Sequence, residues 1–208
     1  MPKENIVRFY RIGFGLLVIV AIIGQFFYKH PANLTQFINF FSYFTILSNI
    51  FAASVFLLLG FGVKTIFGIK VENLRLPAVV YMAITGIVVL VLLEKYAGLG
   101  LTLPWVSDIL HRLMPVVLFA DWLINPPKKK IADKAGFWLL LFPWAFAAYT
   151  LWRGPIVNWY PYPFLDPADV NGYFGVFVYV LGISLGTFVF SEIIIFLGNA
   201  LRKRGLKS

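Results

Sequence analysis

The stretch ILHRLMPVVLFADWLI, residues 109–124, decides how the chain is read. It is apolar enough to cross a membrane, yet it holds His111, Arg112 and Asp121. A charged side chain at the centre of a membrane helix costs about 2.5–3.5 kcal/mol on insertion scales, so such groups face protein or water and mark a functional candidate by default. The rest of the chain puts this stretch in lipid. Hydrophobic residues make up 60% and charged residues 13% of the 208 positions, and mean hydropathy is +0.83. A soluble domain carries about 25% charge. The net charge of +9 sits in clusters between apolar runs rather than in a stripe on a polar module, which points to a membrane surface and away from nucleic acid. With no cysteine, disulfide and thiolate chemistry are excluded.

A spanning helix needs about 20 mostly apolar residues. The runs 6–28, 38–61, 76–93, 107–125, 135–152 and 173–199 qualify, predicting an all-α membrane protein: one domain over residues 1–208, a bundle of six transmembrane helices. The basic N-terminal flank has no small-residue cleavage site behind its apolar run, so it reads as the first span rather than a signal peptide. Lysine and arginine alternate accordingly. Lys3, Arg8 and Arg11, then Lys64, Lys70 and Arg75, then Lys128, Lys129, Lys130 and Lys134, then Arg202, Lys203, Arg204 and Lys207 fall on one side. Only Lys29, Lys95 and Arg153 fall on the other. This predicts cytoplasmic termini and makes the KKK run a topology signal. Trp105, Trp152 and Trp159 lie at the outer ends, where indole rings anchor. The connection RGPIVNWYPYPFLDPADVNG (153–172) has four prolines and is too broken to span, so it is expected to cap the outer helix ends.

Within the second run, Ser42, Thr45, Asn49 and Ala52 recur at helical spacing as a small polar stripe. Lipid cannot satisfy such groups, so the stripe faces protein. In the fourth run, Asp108, His111 and Pro115 share a face. Pro115 cannot donate to the carbonyl of residue 111, which predicts a kink at His111. Helical side chains lean toward the N-terminus, so Asp108 is expected beneath the imidazole, with Arg112 snorkelling to the interface. At 1.5 Å per residue, Thr45 and His111 lie roughly 10 and 6 Å below the outer helix ends, close to one plane. Asp121 and Glu192 lie deeper and read as structural or coupling groups, pairing with each other or with nearby cations. The segment GISLG (182–186) matches a nucleophile elbow but lies inside an apolar helix, where a small-xxx-small packing face is expected, extended by Gly175. Histidine occurs only at positions 30 and 111, so no metal or cofactor site is expected.

Three segments, YFTILSNIF, ILHRLMPVVLFAD and WYPYPFLD, together resemble the androgen-induced and androgen-dependent multi-pass membrane protein family and its bacterial relatives. The animal members hydrolyse fatty acid esters of hydroxy fatty acids with a threonine nucleophile and a histidine. Thr45 in FTILSN matches the family threonine. His111 matches the histidine, with Asp121 ten positions on where animal members carry Glu. Tyr162, Pro163, Phe164, Leu165 and Asp166 match a Tyr-Pro-Phe-Leu-acid segment. The resemblance implies a multi-pass ester hydrolase in a bacterial inner membrane, with membrane lipids as surroundings and a lipid ester as substrate.

On this reading Thr45 is the nucleophile and His111, the one plausible intramembrane base, activates it. Asn49 is the first choice of oxyanion donor, with Arg112 or a loop N–H as alternatives. Ser42, Asp108 and Asp121 support the pair, and Tyr162 and Asp166 close the site from the cap. A transporter or channel would use the same polar stripe as a path, and a non-catalytic scaffold would use it for packing.

Overall fold

In the computed structural model, residues 3–94, 102–132 and 134–205 are described. Lys95 and Lys207, used above to orient the helices, lie outside them. The described residues are mostly helical, as backbone in lipid must be when no water can satisfy its N–H and C=O groups. The helices are α1 (Lys3–Lys29), α2 (Leu34–Phe41), α3 (Phe44–Gly60), α4 (Arg75–Val88), α5 (Pro104–Asp108), α6 (Met114–Ile124), α7 (Ala135–Trp138), α8 (Leu141–Val157) and α9 (Gly172–Gly205). A two-residue hairpin joins Thr65–Ile66 to Ile69–Lys70. Its turn residues Phe67 and Gly68 have φ of 48° and 77°, the positive values that match strand twist in tight hairpins.

Four helical stretches are long and apolar enough to cross a membrane: Glu4–Lys29, Val71–Leu93, Ala135–Val157 and Gly172–Arg204. A fifth is available if α2 and α3 count as one span bent by 63°. The predicted fourth run becomes a continuous helical stack, α5, a π turn at Ile109–Leu113, and α6. This stack carries Asp108, Arg112 and Asp121 and is not among the five.

The bend between α2 and α3 corrects the expectation of one unbroken second span. Ser42 N–H closes a tightened last turn on Asn39 O at 3.1 Å, and Tyr43 is extended (φ −84°, ψ 131°). Ser42 therefore ends α2 instead of continuing the stripe of α3, whose buried face holds Thr45, Ser48, Asn49 and Ala52. Asn33 caps α2, accepting from Gln36 N–H at 2.9 Å.

Close helix approach is set by glycine. A Cβ on Gly60 would lie 2.5 Å from Ile12 Cγ1, and one on Gly15 would lie 2.8 Å from Leu57 Cγ, so α1 and α3 pack almost backbone to backbone. The GISLG face behaves differently. A Cβ on Gly182 or Gly186 would meet nothing within 4 Å, because α9 turns Thr187, Ser191 and Ile194 inward instead. The expected packing face is therefore unused among the described residues. Gly175 does pack, against the carbonyl of Val170.

Asp121 anchors the end of the bundle away from the cap. It accepts from Arg11 Nε at 2.9 Å and from Arg75 Nη2 at 2.8 Å, and also from the Tyr10 hydroxyl and from Asn125 Nδ2. One carboxylate thus ties α1 and α4 to α6. It does not pair with Glu192, whose Oε1 is buried without a hydrogen-bond partner. Ten residues separate Asp121 from His111, about 15 Å along the helix.

Candidate active site

Thr45 occupies the first turn of α3. Its N–H is one of the donors that a helix N-terminus leaves unpaired, and Tyr43, the preceding cap residue, supplies no side-chain bond. The missing acceptor comes from the cap connection. Tyr162, fixed by the short 3₁₀ turn Pro163–Leu165, places its hydroxyl 3.1 Å from Thr45 N and 3.3 Å from Thr45 Oγ1. Tyr162 stacks on Phe164 with ring centroids 5.1 Å apart, and burial pushes its phenol pKa up to about 12. It is therefore protonated at any ordinary pH. Accepting from the Thr45 N–H leaves its own O–H to donate toward Thr45 Oγ1.

His111 meets Thr45 from the other side, with Nε2 3.3 Å from Oγ1. That is at the long end of hydrogen bonding, as is common in catalytic contacts before substrate binds. Nδ1 lies 3.1 Å from the carbonyl of Ser107 and 3.2 Å from its hydroxyl. A carbonyl only accepts, so the proton belongs on Nδ1, and Nε2 is left as an acceptor facing the threonine. The polarity then runs one way: Tyr162 O–H to Thr45 Oγ1, Thr45 O–H to His111 Nε2, and His111 N–H to Ser107 O.

Ser107, rather than Asp108, holds the imidazole, and a π turn begins just beyond it. Met114 N–H bonds Ile109 O, five residues back. Ser107 lies four residues before His111 and Asp108 three, and both are within reach in helical geometry. Asp108 instead pairs with Arg112 at the exposed surface, both side chains being more than half exposed. The two expected supporting residues thus satisfy each other and touch neither Thr45 nor His111.

The same turn frees the carbonyl of Leu110, and Asn49 fills it. Asn49 Nδ2 donates to Leu110 O at 3.2 Å and to Thr45 O at 2.9 Å. Both amide hydrogens are occupied, so Asn49 is a brace between the two helices rather than the expected oxyanion donor. A Cβ on Gly86 would lie 3.0 Å from His111 O, so α4 can touch the carbonyl that Pro115 leaves unbonded. Ser48 and Thr85, which no sequence motif singles out, join α3 to α4 by a 2.9 Å hydroxyl contact beside the site. Ser42 lies outside the pair, with its hydroxyl on Ile38 O at 2.8 Å and Tyr149 at 3.3 Å. Asp166 turns back to cap Ala168 N–H at 2.9 Å and does not reach His111.

An apolar groove opens beside Thr45, with Phe44, Val88, Phe146, Tyr162 and Ile183 among its walls. Thr45 thus stands between the groove and His111. A second, more polar depression lies against Pro163, Asp169 and Tyr179 and meets the groove at Leu93 and Phe164. Among the described residues no group of three His, Asp or Glu side chains is gathered as a metal ion requires. Comparison of the chain with protein-family models, curated proteins and solved structures finds no match.

Proposed function

We propose that the chain is an integral-membrane hydrolase of fatty-acyl esters, acting through an acyl-threonine intermediate. The observation that carries this reading is the 3.3 Å contact between Thr45 Oγ1 and His111 Nε2, with Nδ1 held by a carbonyl. A threonine hydroxyl is a poor nucleophile until such a base is in reach. Thr45 Oγ1 attacks the ester carbonyl carbon as its proton passes to His111 Nε2. The C–O bond to the alcohol then breaks, and His111 protonates the departing oxygen. Water next attacks the acyl-threonine, giving its proton to His111, which returns it to Oγ1 as the acid leaves.

Tyr162 O–H is the donor we assign to the oxyanion, helped by the N-terminal end of α3, whose dipole favours negative charge there. The groove takes an acyl chain sideways from the bilayer, and the depression beyond Leu93 and Phe164 admits the water. The membrane arrangement that goes with this mechanism has six crossings, α2–α3 and the α5–α6 stack included, with both termini in the cytoplasm. The site then lies in the outer leaflet of a bacterial inner membrane.

The reading is tested by treating the purified protein in detergent with a fluorophosphonate probe and locating the adduct by mass spectrometry. An adduct on Thr45 that disappears in His111→Ala supports it. Folded protein that stays unlabelled, or is labelled elsewhere regardless of His111, sinks it and turns attention to solute flux through the groove.

A further inference from the structure

The connection between α3 and α4 carries an aromatic side chain that the rest of the chain leaves bare. Phe67, at the tip of the hairpin that pairs Thr65 with Lys70 and Ile66 with Ile69, is 96% exposed. Among the described residues the next most exposed large apolar side chains reach 73%, so Phe67 is barer than the outward faces of the long helices. Its φ is 48°. A two-residue turn of this kind favours Asn, Asp or Gly, and a bulky residue in the left-handed region is strained. Strain held at one position points to a use for the residue that holds it, and here that use lies outside the chain. The tip as a whole is open, since a Cβ on Gly68 would meet nothing within 4 Å.

Charge and position say what meets it. Lys64 and Lys70 stand three residues before and after Phe67, and both are exposed. Side chains alternate along a strand, so the two lysines leave opposite faces of the ribbon. Each is separated from the tip by at most about 10 Å of strand. No acidic residue lies between Val63 and Val71, and the nearest carboxylate, Glu72, is taken by Arg75 at 2.6 Å. The base of the ribbon is fixed, with Val71 N–H on Lys64 O at 3.0 Å and Val71 fully buried. Val71 also begins the stretch Val71–Leu93, which is long and apolar enough to cross a membrane. The ribbon therefore leaves from the edge of a bilayer. Apolar groups that anchor at such an edge sit about 5–10 Å into the headgroup and acyl boundary, which matches an aromatic tip with an ammonium group set back on either side of it.

We propose that the hairpin of residues 64–70 is a docking loop for anionic lipid. It folds onto the membrane beside α3 and α4, Phe67 enters the apolar edge of the leaflet, and Lys64 and Lys70 hold headgroup phosphates. The proposal is independent of the hydrolase reading. It gives the strained turn its reason: an aromatic ring is kept where Asn would fold more easily.

The chain has no cysteine, so Ile69→Cys supplies one thiol, and through it one environment-sensitive dye, beside an intact Phe67. The labelled protein is placed in nanodiscs of phosphatidylcholine, alone or mixed with phosphatidylglycerol. In the mixed discs the emission should shift to the blue, and brominated acyl chains should quench it more than aqueous iodide does. Each lysine near an anionic surface contributes roughly 5-fold, so Lys64→Gln with Lys70→Gln should lower the ratio of inserted to free dye by about 25-fold. Discs of phosphatidylcholine alone should show a comparable loss. Phe67→Asn should abolish the shift while leaving thermal unfolding in detergent unchanged or higher, because Asn-Gly suits the turn. A lower unfolding temperature in Phe67→Asn would show that the ring serves the fold and would overturn the proposal. Free access of iodide to the dye in the mixed discs would place the hairpin in water, with the same consequence. Insertion that is equal in both lipids and untouched by the lysine pair would overturn the headgroup contact. A dye shielded from both quenchers would mean that protein, such as a second copy of the chain, covers the hairpin, and lipid docking would then be rejected.

Discussion

Asn49 on α3 hydrogen-bonds the carbonyl of Leu110 through its side-chain amide, 3.2 Å away, across the gap to the helix that carries His111. The carbonyl is available only because the π turn has moved the Met114 N–H to Ile109 O. A distortion in one helix is thus matched by a polar side chain in its neighbour, and the match sets how far Thr45 stands from the imidazole.

Replacing Asn49 with Ala leaves the buried carbonyl of Leu110 without this donor, while Thr45 O keeps the Ser48 hydroxyl at 3.2 Å. An unsatisfied buried group costs about 1–3 kcal/mol, and each kcal/mol corresponds to roughly 2–4 °C in a chain of this size. Thermal unfolding should therefore begin several degrees lower, and labelling of Thr45 should slow along with it. Full stability in Asn49→Ala would show that water fills the gap and that the brace is dispensable.

Tyr162→Phe keeps the ring stack on Phe164 and removes only the hydroxyl. Loss of one oxyanion donor lowers kcat by about 100- to 1,000-fold, and that is the expected fall in ester turnover by the folded variant. The pH behaviour of the wild type is a second check. Burial raises the Tyr162 pKa from 10.0 to about 12, so between those values the folded chain keeps a proton that the unfolded chain releases. Its contribution to stability is whole below pH 10 and is lost as pH rises toward 12. Alkaline unfolding followed by tyrosinate absorbance should show this, and in Tyr162→Phe the share of that loss due to Tyr162 should be absent.

Asp121→Asn strips buried Arg11 of the counter-charge it shares with Arg75 and leaves Arg75 with Glu72. Breaking a buried pair in this way costs about 3–5 kcal/mol, so low yield or a strongly lowered unfolding temperature is expected. Whatever folds should label normally at Thr45, because the cluster is remote from it. Arg112→Ala at the exposed pair with Asp108 should by contrast change stability by less than about 1 kcal/mol. Equal effects of the two substitutions would contradict the burial that separates them.

Gly86→Ala would put a methyl group 3.0 Å from His111 O. Backbone must yield by a few tenths of an ångström, and since misplacement by 1 Å can cost about 100-fold, a roughly 10-fold fall in hydrolysis is expected. Gly186→Ala meets open space and should leave turnover at the wild-type level, so the pair of variants separates close packing from helix propensity.

How much of this could be read from residues alone follows from what each feature depends on. Thr45 and His111 were legible because depth in a membrane follows from counting residues, and polar groups in apolar runs are few. The orienting partner was not. Asp108 and Ser107 differ by one position and both lie within a turn of His111, and choosing between them requires seeing that Asp108 pairs outward with Arg112. Asn49 was legible as buried and polar, but its task depends on a carbonyl in another helix. Tyr162 was visible as part of the cap, whereas its hold on Thr45 N–H depends on the break at Ser42 and Tyr43, where neither proline nor glycine marks the end of a helix. Asp121 was visible as buried charge, and its arginines, at positions 11 and 75, come from helices that only tertiary packing brings together. Arg153 entered the sequence reading as one of the few basic residues on the outer side, and nothing in the pattern separated a buried arginine from an interfacial one.

The helix that carries Thr45 begins inside the bundle, and the oxygen that completes its first turn arrives 117 residues later along the chain. During synthesis, α3 is inserted long before Tyr162 leaves the ribosome. Until then the threonine sits on an unfinished helix end, with neither Tyr162 nor, earlier still, His111 beside it. Assembly of these contacts is thereby timed by translation: Thr45 meets both Tyr162 and His111 only when the connection before α9 has closed over the bundle.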